Sequence, residues 1–226
     1  MLGDALSYLK NSDDWIPTVI IGGVLTLLSI FVLPVVIVQG YLVRVLESAA
    51  KGERAAPSFT DWGGLVVDGL KLLVVNLAYA LVVVVPFFGL AVVLGVVGSL
   101  TSPSGDPSAA VGATFLLGSL VLALFGLVVG YFAPAGFANF AVEGSLGAAF
   151  DISTIASAAT TGEYFKAWVL AALVGLVLGA IGSLLSPVLV GFLVLFYVQV
   201  AMYYLYGRGF AEGLSKKRRG VVESSV

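Results

Sequence analysis

The chain has no cysteine and no histidine. Without cysteine there is no disulfide, no thiolate metal site and no cysteine nucleophile. Without histidine the commonest metal ligand and the commonest general base at neutral pH are missing. Charge is scarce too. Asp, Glu, Lys and Arg make up 11% of the 226 residues, against roughly a quarter in an ordinary soluble domain. A net charge of −2 supplies no global basic field for nucleic acid. No Gly-Lys-Ser/Thr follows the glycines of GLAVVLGVVGSL, residues 89–100, so that run is no phosphate loop. These absences point away from an enzyme. No catalytic residue, cofactor or metal site is expected.

What the chain has is apolar length. Hydrophobic residues make up 60% of it. Four windows carry no charge: 16–43, 72–105, 107–142 and 167–207. Each exceeds the roughly 20 residues of one helical crossing. β-barrel strands would instead alternate polar and apolar over about 10 residues. The expected fold is all-α: a polytopic membrane bundle of five to six transmembrane helices with cytoplasmic amphipathic elbows. It forms one transmembrane domain over 1–207, followed by a basic cytoplasmic tail, 208–226. Ser186-Pro187 splits the last window into two crossings, because proline removes a backbone donor and restricts the residue before it. The count is five, or six if 16–43 is a short hairpin folded at Pro34. Pro86 makes the second window a kinked helix or a crossing plus a re-entrant piece. TSPSGDPS, residues 101–108, reads as a polar loop. The first residues lack a basic start and carry Asp4, Asp13 and Asp14, unlike a signal peptide.

Lys and Arg set the orientation. Residues 44–71 hold Arg44, Lys51, Arg54 and Lys71, and the tail holds Arg208, Lys216, Lys217, Arg218 and Arg219. Residues 101–110 hold none. Segments 44–63 and 143–165 and the tail are therefore expected in the cytoplasm, with the protein multi-pass in the cell membrane.

The stretch APSFTDWGGLVVDGLK, residues 56–71, holds the first candidate site. On a helix Asp61, Gly64, Asp68 and Lys71 share an arc of about 80°. Asp68 and Lys71 are i,i+3 neighbours able to pair, and Ser58 or Thr60 could cap the start. The pair is either a membrane-embedded acid–base couple or the wet start of a helix, anchored by Trp62 at the interface. The second reading buries no charge, because enough uncharged residues follow Lys71. Gln39, Asn139 and Gln199 are amides within apolar windows. They either pack helices together or line a substrate site. In 143–166, Phe150, Ile152 and Ile155 form one apolar stripe of a short helix. Glu143, Asp151 and Glu163 are too widely spaced for a local cation site. The KKRRG tail attracts anionic headgroups by about 1 kcal/mol per basic residue. Pro34 and Pro134 share an offset with Gln39 and Asn139, a faint internal repeat of the kind transporters show.

Three stretches together resemble a known family: QGYLVRVLESAAKGERAAPSFTDWGGLVVDGLKLL, EGSLGAAFDISTIASAATTGEYFKAW and GFLVLFYVQVAMYYLYGRGF. They are similar to the archaeal and bacterial membrane proteins catalogued as domain of unknown function 4013. The Ala-, Val- and Gly-rich, acidic composition resembles a halophilic archaeal member. The resemblance implies an all-helical membrane domain and brings no activity or site residue with it.

Three functions remain in view. The first is a non-enzymatic structural or accessory role through membrane lipids, other membrane proteins or a second copy of the chain. The second is a small transporter or channel with a site near the intramembrane amides. The third is an intramembrane enzyme, which needs two carboxylates at membrane depth.

Overall fold

A computed structural model describes residues 1–101 and 109–224. Every regular element among them is helical. The eight α-helices are α1 (Leu2–Ser7), α2 (Trp15–Leu27), α3 (Val32–Lys51), α4 (Trp62–Thr101), α5 (Ala109–Glu143), α6 (Ile152–Ala159), α7 (Gly162–Leu184) and α8 (Val190–Ser224). The expected polar loop TSPSGDPS falls almost wholly on 102–108, outside the described residues.

The first apolar window is a hairpin. It folds at Leu28–Phe31, ahead of Pro34. Pro34 sits in the first turn of α3, where a missing N–H costs little. The turn closes with Phe31 N–H donating to the Leu28 carbonyl and Ser29 N–H to Thr26. Both ends of the hairpin meet: the Asn11 amide donates to the Arg54 carbonyl, and the Ser58 hydroxyl donates to Asp14. The amino-terminal segment therefore lies beside the α3–α4 connection. Gly52 ends α3 at φ +83. Its N–H bonds the Ala49 carbonyl and the Glu53 N–H bonds Ser48, the paired closure that a left-handed glycine permits.

α4 runs unbroken through Pro86 and α5 through Pro134. The re-entrant alternative for the second window is therefore excluded. α7 and α8 turn at Ser186–Val188, where Ser186-Pro187 predicts the split. They pack antiparallel, with Gly175 against Met202, Gly182 against Leu195 and Gly209 against Ala167. α8 continues without a break through residues 208–224 of the basic tail.

The chain divides into two units. One comprises Met1–Val75 and Pro134–Val226. Its core gathers Tyr8, Tyr41, Leu42, Val45, Leu65, Phe196, Val200 and Leu205. The other, Asn76–Ala133, holds the later part of α4 and the earlier part of α5, which run antiparallel. There Gly118 faces Leu90, and Gly126 faces Val83. Its outer surface is apolar, with Leu77, Phe88, Leu116 and Leu124 exposed.

Among the described residues, five helices are long and apolar enough to cross a membrane: α3, α4 to Val97, α5 from Phe115, α7, and α8 to Arg219. α2, with 13 residues, spans about 20 Å, short of the roughly 30 Å hydrocarbon layer. Large apolar side chains also cover both hairpin turns. Ile30 is 87% exposed in the α2–α3 turn and Leu184 81% exposed where α7 ends. Such surfaces suit lipid, and the chain is a polytopic helical membrane bundle.

Candidate functional site

The charged residues of the first unit collect at the end opposite those two turns. The connection from Gly52 to Asp61 folds back along α3. The Tyr41 hydroxyl donates to the Pro57 carbonyl at 2.9 Å, and Phe59 stacks on the Tyr41 ring at 4.3 Å. Arg44 clamps the connection's end, donating to the Thr60 carbonyl at 2.5 Å and to the Asp61 carbonyl and carboxylate at 3.1 Å. Asp61 holds φ +50, a region that Asp tolerates better than most residues. Its carboxylate accepts from the Gly64 N–H at 3.2 Å and so caps α4. Neither Ser58 nor Thr60 is the cap, contrary to expectation. Ser58 is turned to Asp14, and only Asp61 directly precedes the first helical residue.

This fold-back sets the depth of Asp68 and Lys71. α4 starts beside the middle of α3, with Leu65 against Gly40 and Gly69 against Val36. Asp68 and Lys71 pair at 4.0 Å with both side chains partly exposed. They line a cleft of about 200 Å³ together with Glu47 and Glu143. The acidic and basic groups thus face one open space.

A larger cleft of about 780 Å³ lies between the end of α3, the α5–α6 connection and the last turns of α8. Val142, Phe210 and Leu214 are the large apolar side chains of its lining, which also holds Lys51, Arg218 and Arg219. Asn139 borders it at 3% exposure. Its amide donates to the Ala148 carbonyl at 2.8 Å and ties down the connection after α5. Asp151 caps α6 and lines the same cleft. It accepts from the Ser153 and Thr154 N–H groups and from the Thr154 hydroxyl at 2.6 Å. The Thr154 hydroxyl, then the backbone donors, hold the Asp151 carboxyl below its ordinary range. Lys51 is fixed by Glu47 at 2.5 Å, and Lys216 by Glu163 at 2.8 Å, joining α8 to α7.

The five candidates do not form one site. Asp68 and Lys71 share the small cleft, Asn139 borders the large one, and Gln39 and Gln199 border neither. The Gln39 amide oxygen is buried with no hydrogen-bond partner. Glu143 and Asp151 reach the same cleft, whereas Glu163 is engaged elsewhere. Among the described residues no three acidic side chains converge as metal ligands. The stripe expected in 143–166 is divided: Ile155 is buried, and Phe150 and Ile152 are exposed. Sequence reasoning missed the clamp from Arg44 to Asp61. Its only local signal is an Asp placed directly before the apolar run.

The large cleft has the mixed apolar and charged lining that an amphiphile needs, and the small one sets three acids, Glu47, Asp68 and Glu143, beside Lys71. No curated protein and no solved structure matches the chain. Two of the three stretches that suggested a family, residues 39–73 and 143–168, lie within one matched region, from late α2 to the α7–α8 turn; the third, residues 191–210, lies beyond it. The chain belongs to the family described as Protein of unknown function (DUF4013), whose model matches residues 24–187.

Proposed function

We propose that the protein is a non-enzymatic membrane protein whose charged end faces the cytoplasm and docks anionic lipid headgroups. The observation that carries this reading is the large cleft, where Val142, Phe210 and Leu214 line one space with three cations, Lys51, Arg218 and Arg219, against two acids, Glu143 and Asp151. A phospholipid has the same two-part chemistry. Basic pockets between membrane helices on the cytoplasmic side bind such headgroups. The excess of Lys and Arg in 44–71 and 208–219 supports the cytoplasmic placement.

Native mass spectrometry of the protein from mixed phosphatidylglycerol and phosphatidylcholine nanodiscs tests it. Phosphatidylglycerol is expected to be retained selectively. Each of Lys51→Gln, Arg218→Gln and Arg219→Gln is expected to weaken retention about fivefold. Equal retention of the two lipids defeats the reading.

Gln39 favours a second reading, a small transporter. A buried amide oxygen without a partner is costly unless something occupies it. Flux of a solute into proteoliposomes that Gln39→Leu abolishes supports transport. Unchanged flux, or tighter packing of the Leu variant, removes the support.

A further inference from the structure

A separate cavity of about 550 Å³ opens at the charged end, lined by Asp4, Asn11, Gly52, Arg54, Tyr204 and Arg208. Its volume is that of a small-molecule site. Its lining contains no Leu, Val, Ile or Phe, so it offers an acyl chain nothing. The walls come from the amino-terminal segment, the α3–α4 connection and α8.

Arg208 is held in place. Its Nη2 donates to Glu212 at 2.8 Å, and its Nη1 lies over Gly52, where a β-carbon would come within 3.1 Å. Arg54 stands on the connection that Asn11 fixes by donating to its carbonyl at 2.9 Å. Tyr204 is a buried wall, its ring packed on Tyr8 with centroids 4.4 Å apart. Asp4 is the one acid in the lining, and it pairs with the Met1 amine at 2.7 Å. That amine first, then Arg208 and Arg54 more weakly, hold the Asp4 carboxyl below its usual value. The Asp4 charge is therefore already answered, and the fields of both arginines converge on the cavity.

We propose that this cavity binds a phosphate group, gripped by Arg54 and Arg208. Glu212 answers one edge of the Arg208 guanidinium, and Arg54 lines the same polar cavity beside it. The flat forks of the two arginines match phosphate oxygens with paired, charge-assisted hydrogen bonds. The phosphate belongs to a small soluble ester or to a lipid headgroup, and two probes separate these sources.

The test uses the full chain in phosphatidylcholine nanodiscs. Inorganic phosphate is titrated and followed by calorimetry. In parallel, phosphatidylglycerol retention is measured in discs that contain it and no free phosphate. Phosphate is expected to bind, and Arg54→Gln to weaken it about tenfold. Arg54 is exposed, so this variant folds even if Arg208→Gln does not. Lys10→Gln, which removes an exposed charge outside the cavity, is expected to change nothing. Retention of phosphatidylglycerol that depends on Arg54, without binding of free phosphate, keeps the site and assigns it to a headgroup. Failure of both probes overturns the proposal, as does binding that Arg54→Gln leaves intact or that Lys10→Gln weakens equally.

Discussion

Gly69 of α4 packs directly on the backbone of Gly40 in α3. A β-carbon at Gly69 would lie 2.9 Å from the Gly40 nitrogen and overlap the Val36 carbonyl. A reciprocal β-carbon at Gly40 would strike the Leu65 carbonyl. The two helices cross at glycines because only glycine lets their backbones touch. This crossing holds the start of α4 against α3 and places Asp68 and Lys71 over the small cleft.

Gly69→Leu should therefore destabilise the bundle by about 2 kcal/mol or more through overpacking. Gly89, with nothing within 4 Å of its missing β-carbon, should accept the same change within about 0.5 kcal/mol. Thermal unfolding in one detergent compares them. Equal losses would show that the crossing is not tight.

Arg44 answers two carbonyls and one carboxylate, whereas Asp61 loses one partner and a cap. Arg44→Ala should open the 52–61 connection to protease more than Asp61→Asn does. The ion pair itself is largely exposed on the Asp61 side and adds at most about 1 kcal/mol. Limited proteolysis read by mass spectrometry decides it. Greater cleavage in Asp61→Asn would reverse the ranking.

Asp151 predicts a pH dependence with a definite sign. The folded chain lowers its carboxyl value, so its capping is present above the unfolded value, near 3.9. That contribution is lost as pH falls through the depressed folded value. Amide exchange at Ser153 and Thr154 should stay slow to below the ordinary Asp range and then quicken. Asp151→Asn, still a good cap, should flatten that profile and keep α6. A profile unchanged by the substitution would refute the assignment.

The charge-free windows and the Ser186-Pro187 split were legible because lipid excludes charge and proline breaks a helix. The break at Leu28–Phe31 was not. No glycine or proline marks it, and Pro34 drew attention to a position where proline is harmless. The cap at Asp61 depends on where Arg44 pulls the chain, which no local pattern states. Pairing of Asp68 with Lys71 followed from their spacing, but their place beside the middle of α3 followed from Gly40 and Gly69. The Arg54–Arg208 cavity joins Asp4, Asn11, Arg54 and Arg208 across the whole chain, so only tertiary structure brings it together.

Both hairpin turns are apolar and exposed, and their backbones are closed by internal hydrogen bonds. Backbone outside a helix survives at membrane depth only when it is satisfied in this way. A single cysteine placed at Ser29, in the turn after the short α2, should resist a membrane-impermeant maleimide from either face and react with a permeant one. Rapid labelling from the face opposite the charges would show that the α2–α3 hairpin emerges into water.

Both proposed binding sites depend on one relationship: residues 1–14, 52–61, 144–161 and 208–219 share a single end. The chain has no cysteine of its own, so single cysteines at Ser12, Ser58 and Ser215 report it without background. In oriented vesicles all three should be labelled by an impermeant reagent from the same face. Labelling of Ser12 from the face opposite Ser215 would contradict the α2–α3 hairpin and the shared charged end with it.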